Sequence, residues 1–179
     1  MYVPMVIALM AVIPLVSVAS QLLSDSHAVL NSAAIIPIIA KWYVFWAVGV
    51  RLFLAGLRQM IQPRYTAETI LGIKGADALL LVRELGFANT ALGSIGLASI
   101  VAASWRPPAA MAAVIFYGLA GINHALHGHR NKLENVAMVS NIFAALVLAF
   151  CFLGAAYLST MPTLPEAGSN TILASPRLS

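Results

Sequence analysis

The sequence has little charge and almost no cysteine. Of 179 residues, only 9 % are Asp, Glu, Lys or Arg, and there is a single cysteine. A soluble domain carries about a quarter charged residues, so this shortage argues against a soluble globular enzyme, a disordered chain and a nucleic-acid-binding module. The lone Cys151 excludes an intrachain disulfide and a zinc site built on cysteines.

Most of the sequence consists of long apolar stretches. Hydrophobic residues make up 61 % of the chain, and the mean hydropathy is +0.90. A helix needs about 20 mainly apolar residues to cross the hydrocarbon of a bilayer. Spans are predicted over about 3–23, 41–60, 84–104, 108–127 and 136–158. The sequence therefore predicts an all-α integral membrane bundle of five transmembrane helices, in which spans two to five form a four-helix core.

The two ends of the chain lead to separate predictions. Residues 1–160 are expected to form a single transmembrane domain, and residues 161–179, rich in Pro, Gly and Ser, a flexible tail. Val18 and Ser20 fit the small-residue pattern of a signal-peptidase site. However, no Lys or Arg precedes the first apolar run, which is also longer than that of a usual signal peptide. A retained first helix is therefore preferred, with a cleaved signal as the alternative.

The positions of lysine and arginine predict the orientation of the bundle. Basic residues cluster in two loops on the same side, namely Arg64, Lys74, Arg83, Arg130 and Lys132. The positive-inside rule then places the N-terminus in the cytoplasm and the C-terminus outside. Trp42, Trp46 and Trp105 mark the opposite interface, as aromatic belts do. The net charge of +4 is therefore attributed to topology, and no nucleic-acid partner is expected.

Polar side chains inside hydrocarbon are costly and often functional. The candidate site residues of this kind are Arg51, Arg58, Glu84, Asn89, His124, Glu134 and Asn141. Arg51 lies near the middle of span two, and the others lie in or near the cytoplasmic half of their spans. Four separate helices thus place ionisable or amide groups at a similar depth. This placement predicts a polar pocket or hydrogen-bond network that opens toward the cytoplasm.

Structural interpretations of the same residues stay open. Arg51 with Glu84 or Glu134 predicts either an interhelical salt bridge or part of a ligand or proton pathway. Asn89 and Asn141 are also typical of hydrogen bonds that join helices to one another. A stripe of small residues in span three predicts close helix approach and comprises Gly86, Gly93 and Gly96.

Three histidines near the end of span four raise the question of a metal site. They are His124, His127 and His129. No cysteine lies nearby, and a carboxylate ligand would have to come from Glu84 or Glu134. Hydrated histidines at an interface are the preferred interpretation, so no metal site is predicted.

Four segments resemble an uncharacterised bacterial family of small multi-pass membrane proteins. The segments are residues 42–68 (WYVFWAVGVRLFLAGLRQMIQPRYTAE), 83–89 (RELGFAN), 116–124 (FYGLAGINH) and 134–141 (ENVAMVSN). The resemblance covers about residues 40–145 and implies no activity. Spans two to five are more distantly similar to DoxX-type proteins, some of which are associated with quinone-linked sulfur oxidation or thiol-stress complexes. That resemblance rests on helix count, the Arg-bearing second span and the entry to span three.

The preferred functional prediction is a non-enzymatic or accessory protein of the bacterial inner membrane that holds a small amphipathic ligand, such as a quinone or a lipid head group. Arg51 and Arg58 would attract anionic or carbonyl oxygen, and Glu84 and Glu134 would balance their charge. The ligand would be oriented by Asn89, His124 and Asn141. No cofactor beyond a quinone is suggested.

Other functional classes remain open. They are a membrane subunit of a quinone-linked oxidoreductase, a small transporter or proton-coupled channel, and a structural subunit. Expected partners are the lipid bilayer and either another membrane protein or a second copy of the chain.

Overall fold

The computed structural model describes residues 2–25, 32–128 and 131–160. These ranges contain five helices long and apolar enough to cross a membrane. The helices are α1 (Tyr2–Ser24), α2 (Ala34–Ile61), α3 (Ala76–Ala98), α4 (Ala103–Leu126) and α5 (Lys132–Thr160). No strand occurs in the described ranges, so the predicted all-α bundle is confirmed. The predicted tail, His129 and Arg130 lie outside the described residues.

Helix α3 runs over Ala76–Ala98, so it begins before the predicted span over about 84–104 and also ends before it. Gly75, directly before the helix, has a φ of 119°. Glycine adopts this conformation readily, and the chain changes direction there before the helix begins. The span is predicted to begin at the charged pair Arg83–Glu84 because charged side chains are costly in hydrocarbon. Both side chains are exposed on the helix surface, so the helix accommodates them without burying charge.

Glycines allow α2 and α3 to pack with their backbones close together. Gly49 of α2 faces Gly96 of α3, Gly56 faces Gly86, and Gly93 lies against the backbone of Phe53. A Cβ atom built on Gly96 would lie 2.5 Å from the backbone nitrogen of Gly49. This close approach confirms the prediction made from the small-residue stripe. The backbones meet where side chains are absent, as in membrane helix pairs generally.

The middle of α2 is π-helical over Val44–Val50. At the end of this stretch, the backbone N–H of Arg51 donates to the carbonyl oxygens of Trp46 and Val48. The Tyr117 hydroxyl on α4 donates to the carbonyl oxygen of Ala47, within the same stretch. Such π-helical turns are wider than α-helical ones and occur frequently at functional sites. Here the stretch immediately precedes Arg51.

Helix α1 adds to the core that the sequence placed in spans two to five. Val6 and Met10 are buried against residues of α2, α4 and α5. Near the other end of α1, the Gln21 Oε1 atom accepts hydrogen bonds from Trp42 Nε1 at 2.7 Å and from Lys41 Nζ at 3.1 Å. The indole N–H of Trp42 is therefore satisfied within the protein, and α1 is fixed to α2 by polar as well as apolar contacts.

Candidate ligand-binding cavity

A cavity of about 300 Å³ lies toward the end of the bundle at which α1, α3 and α5 begin and α2 and α4 end. All five helices and the connection between α2 and α3 contribute to its lining. Five of the residues predicted for the site line it, namely Arg51, Arg58, Asn89, His124 and Asn141. These five residues come from four separate helices, α2 to α5, and line one shared space.

Arg51 is the deepest charged group of the cavity and is only 9 % exposed. Its Nη2 atom donates to Asn141 Oδ1 at 3.1 Å and lies 3.4 Å from Ser140 Oγ, both on α5. Its Cζ atom lies 5.0 Å from the ring centre of Tyr117 on α4, within cation–π distance. The three partners are neutral, so they orient the guanidinium without cancelling its charge.

Neither arginine of the cavity is paired with a carboxylate among the described residues. The contacts between basic side chains and carboxylates include that of Arg64 with Glu68 and those of His124 and His127 with Glu134. Arg58 instead stacks over the ring of Tyr65, with its Cζ atom 3.7 Å from the ring centre. A buried charge without a counter-charge costs several kcal/mol unless other groups compensate it. The cavity wall therefore presents positive charge.

The two glutamates predicted to balance the arginines lie elsewhere. Glu84 is exposed on α3 and does not line the cavity. At about 100° per residue it lies roughly 200° around the helix from Gly86, which faces α2. Glu134 is buried, and its Oε1 atom is 3.1 Å from His124 Nδ1 and 4.0 Å from His127 Nδ1. Glu134 therefore pairs with the histidines at the end of α4.

Asn89 brings an unsatisfied acceptor to the cavity. Its Nδ2 atom donates to Gln59 Oε1 on α2 at 2.7 Å. Its Oδ1 atom is buried and has no hydrogen-bond partner in the described structure. Leaving such an atom unpaired costs about 1–3 kcal/mol. A donor group on a ligand, or a bound water, would satisfy it.

Several lining residues were not among the predicted site residues. Tyr2 begins α1, and Tyr65 and Thr66 belong to the π-helix Tyr65–Ile70 that connects α2 to α3. Tyr2 does not stand out in the sequence, because it lies at the start of an apolar run where aromatics are common. Tyr65 follows Gln62, Pro63 and Arg64 in the loop after span two, where the sequence does not indicate that its ring lies beside Arg58. Ser140 directly precedes Asn141, and only the position of Arg51 reveals that both side chains reach the same guanidinium.

Asn131 joins the connecting π-helix to the start of α5. Its Oδ1 atom accepts hydrogen bonds from the backbone N–H groups of Leu133 and Glu134, both at 2.9 Å. Its Nδ2 atom donates to the carbonyl oxygens of Thr69 at 3.3 Å and Ile70 at 2.8 Å. The first pair of bonds caps α5. The second holds the connection beside the cavity, and an Asn followed by Glu three residues later is the sequence signal for such a cap.

Substituting Asn131 in two ways should separate these roles. Asn131→Asp keeps an acceptor for the cap but loses both donors, whereas Asn131→Ala loses all four bonds. We expect thermal stability in detergent to fall in the order wild type, Asn131→Asp, Asn131→Ala, with about 1 kcal/mol attributable to the cap. Tryptic cleavage after Arg64 should increase equally in both variants. Unchanged cleavage in both would show that the side chain does not hold the connection.

Comparison with known proteins supplies a family but no activity. A model described as a family of unknown function, DUF6790, matches residues 4–160. The matched range includes α2 to α5 and nearly all of α1. No curated protein and no solved structure matches the chain.

Proposed function

As a member of the DUF6790 family of unknown function, the chain inherits no activity, and we propose that it is a membrane protein that binds a small ligand around Arg51. The ligand carries anionic or carbonyl oxygens, as a lipid head group or a quinone does. The role is accessory rather than catalytic. The proposed location is the bacterial inner membrane with the N-terminus in the cytoplasm, on the basis of the distribution of Lys and Arg. We also propose that the protein is distantly related to DoxX-type proteins.

The observation that carries the proposal is the environment of Arg51. A guanidinium at 9 % exposure contacts only neutral groups and lines a cavity. If its purpose were to join helices, a carboxylate partner would compensate its charge more fully than an amide and a hydroxyl do. An oxygen-bearing ligand in the cavity would supply the missing acceptor.

Other residues of the wall suit the same ligand. Arg58 adds a second guanidinium, held against the Tyr65 ring. Asn89 Oδ1 accepts a hydrogen bond from any donor that the ligand carries. His124 is held by Glu134 at 3.1 Å, so its ring is oriented independently of the ligand. The wall therefore combines cations for an acceptor oxygen with the unpartnered amide oxygen of Asn89.

Mass spectrometry of the protein purified in mild detergent tests the proposal. We expect a small molecule to co-purify with the wild type and to fall at least tenfold in Arg51→Ala. The matched control is Arg64→Ala, because the Arg64 side chain is 76 % exposed and does not line the cavity. Elution volume and helical content are measured for each variant to verify folding.

Two outcomes would contradict the proposed function. One is that no small molecule accompanies the wild type even when extraction is mild. The other is that folded Arg51→Ala retains the molecule as well as Arg64→Ala does.

A further inference from the structure

An apolar groove of about 430 Å³ runs between α1 and α5. Its walls are formed by Val3, Val6, Ile7, Met10 and Ala11 on α1, and by Asn135, Val136, Val139, Ser140 and Phe143 on α5. Ile7 and Val139 are more than half exposed, so the groove opens on the outer surface of the bundle. On a membrane-spanning bundle that surface meets the hydrocarbon of the bilayer.

The groove and the polar cavity share a wall. Val6 is buried and lines both. Ser140 lines the groove, and its hydroxyl lies 3.4 Å from Nη2 of Arg51, which lines the cavity. The guanidinium is therefore one hydrogen bond away from the groove. A molecule with a polar head and an apolar chain would meet both surfaces at this point.

The charge of the site indicates the charge of the head group. Arg58 stacks on Tyr65, and His124 is paired with Glu134. Among the described residues, Arg51 is the buried cation, and its guanidinium is the one that lies a single hydrogen bond from the groove. One such charge calls for a single negative charge, and a carboxylate matches the fork of a guanidinium with two parallel hydrogen bonds.

The side of the cavity formed by the connection between α2 and α3 is less suited to an apolar chain. Thr66, Ile70 and Leu71 of the connection line it there, and Asn131 fixes that connection through the Thr69 and Ile70 carbonyl oxygens. A hydrocarbon chain that left on that side would enter the polar interface. A chain in the α1–α5 groove would remain in apolar surroundings at no cost in transfer free energy.

We propose that the site binds a long-chain carboxylate, with its head on Arg51 and its hydrocarbon chain in the α1–α5 groove. This inference rests on the proposed function and deepens it by naming the ligand class and its route of entry from the bilayer. A neutral quinone and a phosphate-bearing single-chain lipid are the competitors that the following experiment distinguishes.

Photolabelling in nanodiscs of neutral phosphatidylcholine tests the placement. The probe is palmitate with a diazirine near the end of its chain, and labelled peptides are identified by mass spectrometry. We expect labelling within residues 3–11 and 135–143, which excess oleate prevents. Monoolein, ubiquinone and oleoyl lysophosphatidate should each compete at least tenfold less effectively than oleate.

Two tryptophan substitutions on α5 provide the matched comparison. Val139→Trp fills the groove, whereas Leu153→Trp places the same ring on an equally exposed position that does not line it, since the two residues are 61 % and 66 % exposed. We expect labelling to fall at least fivefold in Val139→Trp and to stay near wild type in Leu153→Trp. Ala11→Phe, which narrows the groove from α1, should repeat the loss if Val139→Trp proves unstable.

The outcomes separate this inference from the proposed function. Labelling spread over other lipid-facing surfaces, or full labelling in both groove variants, would overturn the placement of the chain. Competition by monoolein, ubiquinone or the lysophosphatidate as strong as that by oleate would overturn the carboxylate assignment. Either result leaves the proposed function intact if Arg51→Gln still abolishes oleate competition. Labelling and competition that are unaffected by Arg51→Gln would reject both.

Discussion

Replacing Gly93 with alanine is expected to push α2 away from α3 and to destabilise the bundle. The added Cβ would contact the backbone nitrogen of Phe53, and it would lie 2.7 Å from Phe53 Cα and 2.9 Å from Phe53 Cβ. The nearest obstacles are backbone atoms, so no side-chain rotation can relieve the clash. Overpacking of this kind costs about 1–3 kcal/mol. Unfolding in increasing SDS should show this loss as a lower midpoint.

Gly118→Ala is the matched control on α4. The nearest atom to a Cβ built there is Ala145 Cβ, at 4.0 Å, which is ordinary contact. Since alanine favours a helix by about 1 kcal/mol over glycine, this variant should be as stable as the wild type or more stable. If Gly93→Ala unfolds at the same SDS concentration as Gly118→Ala, the close approach of α2 and α3 does not stabilise the bundle.

The effect of Gly93→Ala should extend to the cavity. The Asn89–Gln59 hydrogen bond crosses between α3 and α2 at 2.7 Å, close to the displaced backbone. Separation of the helices would lengthen this bond and move Asn89 relative to Arg51. We therefore expect less co-purified small molecule in folded Gly93→Ala than in Gly118→Ala.

The general architecture could be read from the sequence because it depends on local quantities. The number of helices follows from the length of apolar runs, which the thickness of hydrocarbon fixes. Close approach of another helix to α3 could be anticipated because Gly86, Gly93 and Gly96 recur on one helical face, whereas the sequence did not indicate that the partner is α2. The residue at which α3 begins could not be anticipated, because the charged residues Arg83 and Glu84 are tolerated on the surface of the helix.

The candidate site was only partly accessible to the same reasoning. The spacing of polar residues predicted which helices carry polar groups at a similar depth. In the structure, Arg51, Asn89 and His124 line one cavity. Which polar side chains pair with one another depends on how each helix is rotated about its own axis. A sequence with few charges constrains that rotation weakly. Glu84 lies on the exposed face of α3, and Glu134 pairs with His124 because the end of α4 meets the start of α5. The π-helical stretch before Arg51 has no recognisable sequence signal.

Tyr117→Ala is expected to be the second severe substitution. The side chain is fully buried at the centre of the core, its ring lies beside Arg51, and its hydroxyl donates to Ala47. Removing an aromatic side chain from a packed core costs about 3–5 kcal/mol in soluble proteins. Because lipid is itself apolar, we expect mainly the packing part of this cost, roughly 2–3 kcal/mol. Arg51 would also lose the surface that orients it.

Tyr117→Phe isolates the hydroxyl from the ring. It keeps the packing and the aromatic face toward Arg51 but removes the donor to the Ala47 carbonyl, a loss of about 1 kcal/mol. The SDS unfolding midpoint should therefore lie between those of the wild type and Tyr117→Ala. Tyr157→Phe serves as the control, because Tyr157 is 61 % exposed on α5 and should tolerate the change.

The comparison of these variants also tests how the π-helical stretch positions Arg51. If the Tyr117 hydroxyl holds Val44–Val50 in its wide conformation, Tyr117→Phe should reduce the co-purified small molecule more than its modest loss of stability explains. Tyr157→Phe should leave the amount unchanged. Equal amounts in both phenylalanine variants would mean that the Ala47 bond contributes to stability alone, and that Arg51 is oriented by its contacts with α5.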